Sequence, residues 1–185
     1  MRTFVGLEIP EATRDLLSGE FLESRPLLTD ARWIPPANWH LTLAFLGPTE
    51  DMQLPELNRL LAPVFGSFRR FDLVLSGFGL FPPRGRAKVA WAGLERSRTL
   101  SELRDAVVRE CRLLGFEIDD KPFFAHVTVA RARRPWRRGV RKAWLEAVEC
   151  RRDVLFEPLR GCLVESILGS DGARYRMVQS YPIGR

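Results

Sequence analysis

His40-Leu41-Thr42-Leu43-Ala44-Phe45-Leu46-Gly47-Pro48 is echoed in the second half of the chain by His126-Val127-Thr128-Val129-Ala130-Arg131. Successive residues of a β-strand point to opposite faces. In each stretch the imidazole and the hydroxyl two places on therefore share one face, and the aliphatic residues between them share the other. The chain has two histidines in 185 residues, and both open this pattern. Threonine is common in strands, so a single occurrence would carry little weight. Two occurrences that use up every histidine point to function rather than to structural histidines. Two imidazoles suit acid–base chemistry near neutral pH, one neutral to accept a proton and one charged to donate it.

Outward from these strands the pattern sets strands, mostly in pairs, between helices. Arg2 to Ile9 reads as a strand ended by Pro10. Glu11 to Glu23 has helical spacing, with Leu16, Leu17, Phe21 and Leu22 on its apolar side. Arg32 to Ile34 is a short strand stopped by Pro35-Pro36, and His40 to Leu46 is a strand closed by Gly47-Pro48. Leu54 to Phe68 follows as a helix, then strands over Phe71 to Leu80 and Ala87 to Leu94, separated by Pro82-Pro83-Arg84-Gly85. Ser97 to Leu114 is the strongest helix, with Leu100, Leu103, Val107, Cys111 and Leu114 in step and Gly115 as its stop. Ala125 to Ala130 is the second motif strand, and Val140 to Val148 a short helix. Leu159 to Leu168 and Arg174 to Ile183 form a hairpin around Gly169-Ser170-Asp171-Gly172.

Strands paired between helices predict an α+β fold with two antiparallel β-sheets and flanking helices. The order strand, helix, motif strand occurs in both halves, which predicts two lobes related by a pseudo-two-fold, with the motif strands facing a central cleft. No linker divides the chain, so residues 1–185 are expected to form one bilobal domain. By strand parity Phe45, odd relative to His40, belongs in the core.

Composition narrows the class. At 45% hydrophobic and 28% charged the chain is of ordinary soluble type. No apolar run approaches the roughly 18 residues a membrane span needs. Glu8 interrupts the stretch that a secretory leader would continue. Cys111, Cys150 and Cys162 are odd in number and widely spaced, which favours a reducing cytoplasm over a disulfide framework or zinc knuckle. The net charge of +6 is carried by 29 basic residues, of which only Lys88, Lys121 and Lys142 are lysine. Arg131, Arg133, Arg134, Arg137, Arg138, Arg141 and Lys142 crowd together just after the second motif. They read either as a solvated basic loop or as a site for a polyanion.

Several chemistries fit poorly. Zinc or iron needs a third or fourth ligand, and the histidine face of the motif strands offers no Asp, Glu or Cys. There is no G-x-S-x-G elbow for a serine nucleophile and no phosphate-binding loop for ATP. Metal-free acid–base catalysis on an anionic substrate remains, and phosphodiester cleavage suits it. One imidazole takes a proton from water and the other protonates the departing alkoxide. Thr42, Thr128 and a nearby arginine can hold the non-bridging oxygens.

The chain resembles the bacterial and archaeal RNA 2′,3′-cyclic phosphodiesterases of the two-histidine phosphoesterase superfamily, historically called 2′-5′ RNA ligases. The likeness runs through Arg2-Thr3-Phe4-Val5-Gly6, Arg32-Trp33-Ile34, Asn38-Trp39-His40 through Gly47, and Lys88 through Leu94. It continues through Phe124 to Arg131, Val164 to Gly169 and Gly172 to Tyr175. The resemblance implies a bilobal antiparallel fold with a central cleft. It also implies hydrolysis of a cyclic phosphate RNA end to a 2′-phosphomonoester, without metal or cofactor. His40 would be the proton donor to the 3′ leaving oxygen, and His126 the proton acceptor from water. Thr42 and Thr128 would contact the phosphate, with Arg131 as a further phosphate ligand. Trp33 and Tyr175 are candidates for stacking on a base, and Phe45 could do the same, although its parity favours the core. The one departure is Ala125, where the family usually has proline. The expected partner is RNA with 2′,3′-cyclic phosphate ends, acted on by a cytoplasmic monomer with no membrane or protein partner. Two rival readings are 2′-5′ ligation or cleavage in the same site, and a non-catalytic RNA-binding module using the basic cluster.

Overall fold

The computed structural model describes residues 1–21, 23–148, 153–169 and 172–184. Its strands are β1 (Arg2–Glu8), β2 (Ala31–Trp33), β3 (His40–Pro48), β4 (Leu73–Phe81), β5 (Val89–Leu94), β6 (His126–Ala132), β7 (Val154–Phe156), β8 (Arg160–Gly169) and β9 (Gly172–Pro182). The α-helices are α1 (Glu11–Phe21), α2 (Leu54–Ser67), α3 (Arg98–Leu113) and α4 (Arg138–Ala147).

The α+β antiparallel class holds, with one refinement. The strand order is β7-β4-β5-β6-β3-β1-β8-β9, with β2 added on β6, so among the described residues the two expected sheets join into one of nine strands. The motif strands β3 and β6 are the central neighbours and meet in the single register pair Leu41–Val127. Joining there pairs backbone groups that two separate sheets would leave at open edges. The halves match outward from that pair: β1 and β8 flank β3 as β5 and β4 flank β6.

The helices sit where their apolar stripes can be buried. Leu57, Leu61 and Phe65 of α2 are fully buried. Each contributes about 1.5–3 kcal/mol relative to exposure. That burial, rather than propensity, sustains a helix containing Pro63. Phe65 stacks on Tyr181 of β9, with ring centroids 5.3 Å apart. In α3, Leu100, Leu103, Val107 and Cys111 are buried as the spacing predicts, and the Ser97 hydroxyl caps the start by accepting the Leu100 N–H at 3.2 Å. Gly115, at φ +83°, ends it.

The α1 stripe is narrower than expected. Thr13, Leu17 and Phe21 are buried at steps of four, whereas Leu16 is 62% exposed. Leu22 lies outside the described residues. The strand β7 was not expected, because three residues carry no readable period. It pairs with Leu73–Leu75 of β4. Gly169 and Gly172 pair across the last hairpin, and its tip, residues 170–171, lies outside the described residues. Among the described residues no helix is long and apolar enough to cross a membrane.

Candidate active site

Both motif strands carry the same irregularity at the same place. In the pairing of β1 with β3, Gly6 faces Thr42 and Val5 faces Ala44, so Leu43 is an extra residue on β3. In the pairing of β5 with β6, Trp91 faces Thr128 and Ala90 faces Ala130, so Val129 is an extra residue on β6. A bulge of this kind resets the alternation of side chains downstream of it. Leu41, Leu43 and Ala44 are buried, as are Val127, Val129 and Ala130, and the residue that follows in each strand is exposed. The expectation that Phe45 packs in the core is therefore corrected: it is 62% exposed and lines the cleft with His40 and Thr42. The same device brings Arg131, also at odd parity to its histidine, onto the imidazole face.

His40, Thr42, His126, Thr128 and Arg131 all line one cleft of about 1200 Å³. Each imidazole is oriented the same way. Nδ1 of His40 lies 2.8 Å from the carbonyl oxygen of Asn38, and Nδ1 of His126 lies 2.8 Å from that of Phe124. A carbonyl only accepts, so Nδ1 carries the proton in both rings and Nε2 is left for chemistry in the cleft. His40 is further held by Phe4, stacked at 4.4 Å, and by the Tyr175 ring edge-on at 4.9 Å. His126 has Phe81 edge-on at 5.0 Å. The close approach of β1 to β3 needs Gly6, where a Cβ would stand 2.8 Å from the Leu41 carbonyl oxygen.

Burial holds the His40 pKa below its ordinary 6.5, at about 4, against the hydrogen bond to Asn38, and the charges of Arg131 and His126 lower it further. The His126 pKa is lowered too, by burial first and then by Arg131, against the hydrogen bond to Phe124. Both rings are thus biased to the neutral form, and an anion placed among them would reverse the charge contributions. Among the described residues no group of three or more His, Cys, Asp and Glu side chains comes together with metal-binding geometry.

The basic cluster divides by role. Arg131, Arg133 and Arg134 line the cleft, joined by Arg32 and Arg2, with Asp30 as the one acid on its wall among the described residues. Arg141 instead holds the turn between β4 and β5, donating to the carbonyls of Gly85 and of Pro83, the latter at 3.0 Å. Lys142 pairs with Glu146 along α4. Trp33 lines the cleft but also packs on Phe21 at 5.5 Å, and Arg25 lies over its ring. Tyr175 lines the cleft through its contacts with Phe4 and His40. Phe81 and Arg32 reach the cleft from other strands, which motif spacing could not show. Ala125 accepts the Leu94 N–H at 3.2 Å through its carbonyl, a bond that proline there would keep.

The fold and this paired-histidine cleft define a class, and the comparisons agree. The chain belongs to the 2′-5′ RNA ligase superfamily, whose family model matches residues 27–165. A Thermus thermophilus protein named RNA 2′,3′-cyclic phosphodiesterase is 36% identical over 147 residues, 73% of this chain and 70% of that protein. One of the same name from Geobacillus stearothermophilus is 36% identical over 114 residues, 62% of this chain but only 35% of the relative's length. The crystal structure of TT0787 of Thermus thermophilus superposes with a TM-score of 0.83 at 26% identity, covering 99% of this chain and 98% of that one.

Proposed function

We propose that this chain, as one bilobal domain, hydrolyses 2′,3′-cyclic phosphate ends of RNA to 2′-phosphomonoesters. His126 accepts a proton from the attacking water through Nε2. The new P–O bond forms as the P–O3′ bond breaks, and His40 gives its Nε2 proton to the departing 3′ oxygen. Thr42, Thr128 and Arg131 hold the non-bridging oxygens, where charge accumulates in the transition state. The observation that carries this reading is the pair of imidazoles, each with Nδ1 tied to a backbone carbonyl and each lining the same arginine-walled cleft.

Neutral rings supply a base directly, whereas the acid must be charged. Burial is the main cause of the low His40 pKa, with Arg131 and His126 adding smaller repulsions, and a phosphate anion beside them favours the charged ring that the acid role needs. No metal or cofactor enters this scheme. The reading places the protein in a reducing cytoplasm as a monomer. Cys111 and Cys162 are buried free thiols, and Cys150 lies outside the described residues. The test is incubation with an oligonucleotide ending in a 2′,3′-cyclic phosphate, with EDTA present. The expected result is a 2′-phosphate product at an undiminished rate. Abolition of turnover by EDTA would overturn the metal-free mechanism. Tight, salt-sensitive RNA binding without turnover would favour a binding module.

A further inference from the structure

The two arms match through the fourth residue after each histidine and part company at the fifth. That residue is Phe45 on one arm and Arg131 on the other. Because Leu41 pairs with Val127 in antiparallel strands, the arms run in opposite directions from that point. Phe45 and Arg131 therefore stand toward opposite ends of the cleft, each roughly 10 Å along its strand, since the bulge leaves three regular steps of about 3.3 Å. His40 lies on the Arg131 side of the pair and His126 on the Phe45 side.

The two ends differ in chemistry. Arg32 is the cross-strand register partner of Arg131, and Arg133 and Arg134 continue the same wall. Like charges facing each other across a strand pair are unfavourable. Among the described residues none of these four arginines has an acidic ion-pair partner. Such an arrangement is relieved by a polyanion. At the other end Phe45 offers an exposed ring, 5.9 Å from Phe4, and among the described residues Arg2 is the one arginine lining the cleft there.

Resting on the cyclic-phosphate reading above, we infer that Phe45 and Arg131 set the direction in which an RNA end lies in the cleft, and hence which ester oxygen leaves. The two histidines alone cannot choose, because the arms that carry them are nearly equivalent. The ribose is not symmetric. Its base hangs beside the 2′ carbon, and the rest of the chain leaves beside the 3′ carbon. With Arg131 on the cyclic phosphate, the chain's phosphates continuing along Arg32, Arg133 and Arg134, and the terminal base toward Phe45, O3′ faces His40. Water then enters in line from the His126 side. Water gives its proton to His126, its oxygen bonds phosphorus, the P–O3′ bond breaks, and O3′ takes the proton of His40. Reversing the RNA would exchange the two oxygens and produce a 3′-phosphate. Phe45 and Arg32 are positioning residues in this account.

The experiment is a single-turnover assay, with enzyme in excess, that scores 2′- against 3′-phosphate. The substrate is a short RNA with a cyclic phosphate end, and the proteins are the wild type, F45A, R32A and the F45R/R131F exchange. The wild type should give the 2′-phosphate. In the exchange variant the 3′-phosphate share should rise by about tenfold or more, within what one stacked base contributes. F45A and R32A, both altered at exposed positions, should show the same drift to a smaller degree. They keep the test readable if the exchange removes turnover. A merely structural role would slow the reaction without moving the ratio, so unchanged 2′-phosphate in every active variant overturns the inference. Failure of the wild type to hydrolyse the RNA at all would instead overturn the activity on which it rests.

Discussion

The arms carrying His40 and His126 are alike in everything that aims an imidazole and unlike in what surrounds it. Both have buried aliphatics on the far face, a bulge three residues after the histidine, and an Nδ1 bond to the carbonyl two residues back. Opposite Thr42 stands Gly6, whereas opposite Thr128 stands Trp91. The His40 ring is covered by Phe4 and Tyr175, and the His126 ring meets Phe81. The difference teaches that the repeated part is the proton-transfer apparatus. The walls, free to diverge, are where recognition is built.

The largest effect should come from removing either half of the repeat. His40→Ala and His126→Ala should each lower turnover by about 10²–10⁴-fold with the thermal transition near that of the wild type. The double variant should fall well short of the product of the two losses, since the residues act as a unit. A multiplicative loss would say the arms work independently. Next come the hydroxyls. Thr42→Val and Thr128→Val should each cost up to about 10²-fold in kcat, the scale for one donor to a developing charge. Equal costs would extend the symmetry to the phosphate, and a large imbalance would confine it to the histidines.

The walls can be broken without touching the chemistry. Gly6→Ala places a Cβ against the Leu41 carbonyl oxygen and should destabilise the protein by about 1–3 kcal/mol, read as a shifted denaturant midpoint. No change would mean that β1 and β3 separate at little cost. The smallest effect belongs to Ala125→Pro. It should leave turnover unaltered and change stability by no more than about 1 kcal/mol, and a large loss of activity would show that the backbone entering β6 needs the freedom alanine allows.

Most of the fold was legible because the motif strands announce themselves by alternation and α3 by its apolar steps. The bulges were not. An extra residue leaves no mark in a run such as Leu43-Ala44-Phe45 or Val129-Ala130-Arg131, so parity alone sends Phe45 to the core and Arg131 away from its histidine. His40, His126, Thr42 and Thr128 lie before the bulges, and for them parity was a sound guide. Arg32 and Phe81 come from other strands, and only the register of β2 on β6 and of β4 on β5 brings them to the cleft. Leu16 shows the opposite error, an apolar residue at helical spacing that stays largely exposed.

The central claim, that one histidine gives a proton while the other takes one, is tested most directly by the pH dependence of kcat/KM on a cyclic-phosphate RNA end. A base must be neutral, so activity rises with pH through its pKa. An acid must be charged, so activity falls through its own. Both rings lie below histidine's ordinary 6.5, so the wild-type bell should sit on the acid side of neutrality. In His40→Ala the residual activity should lose its alkaline fall, and in His126→Ala its acid rise. Single variants that both keep the full bell would contradict the account.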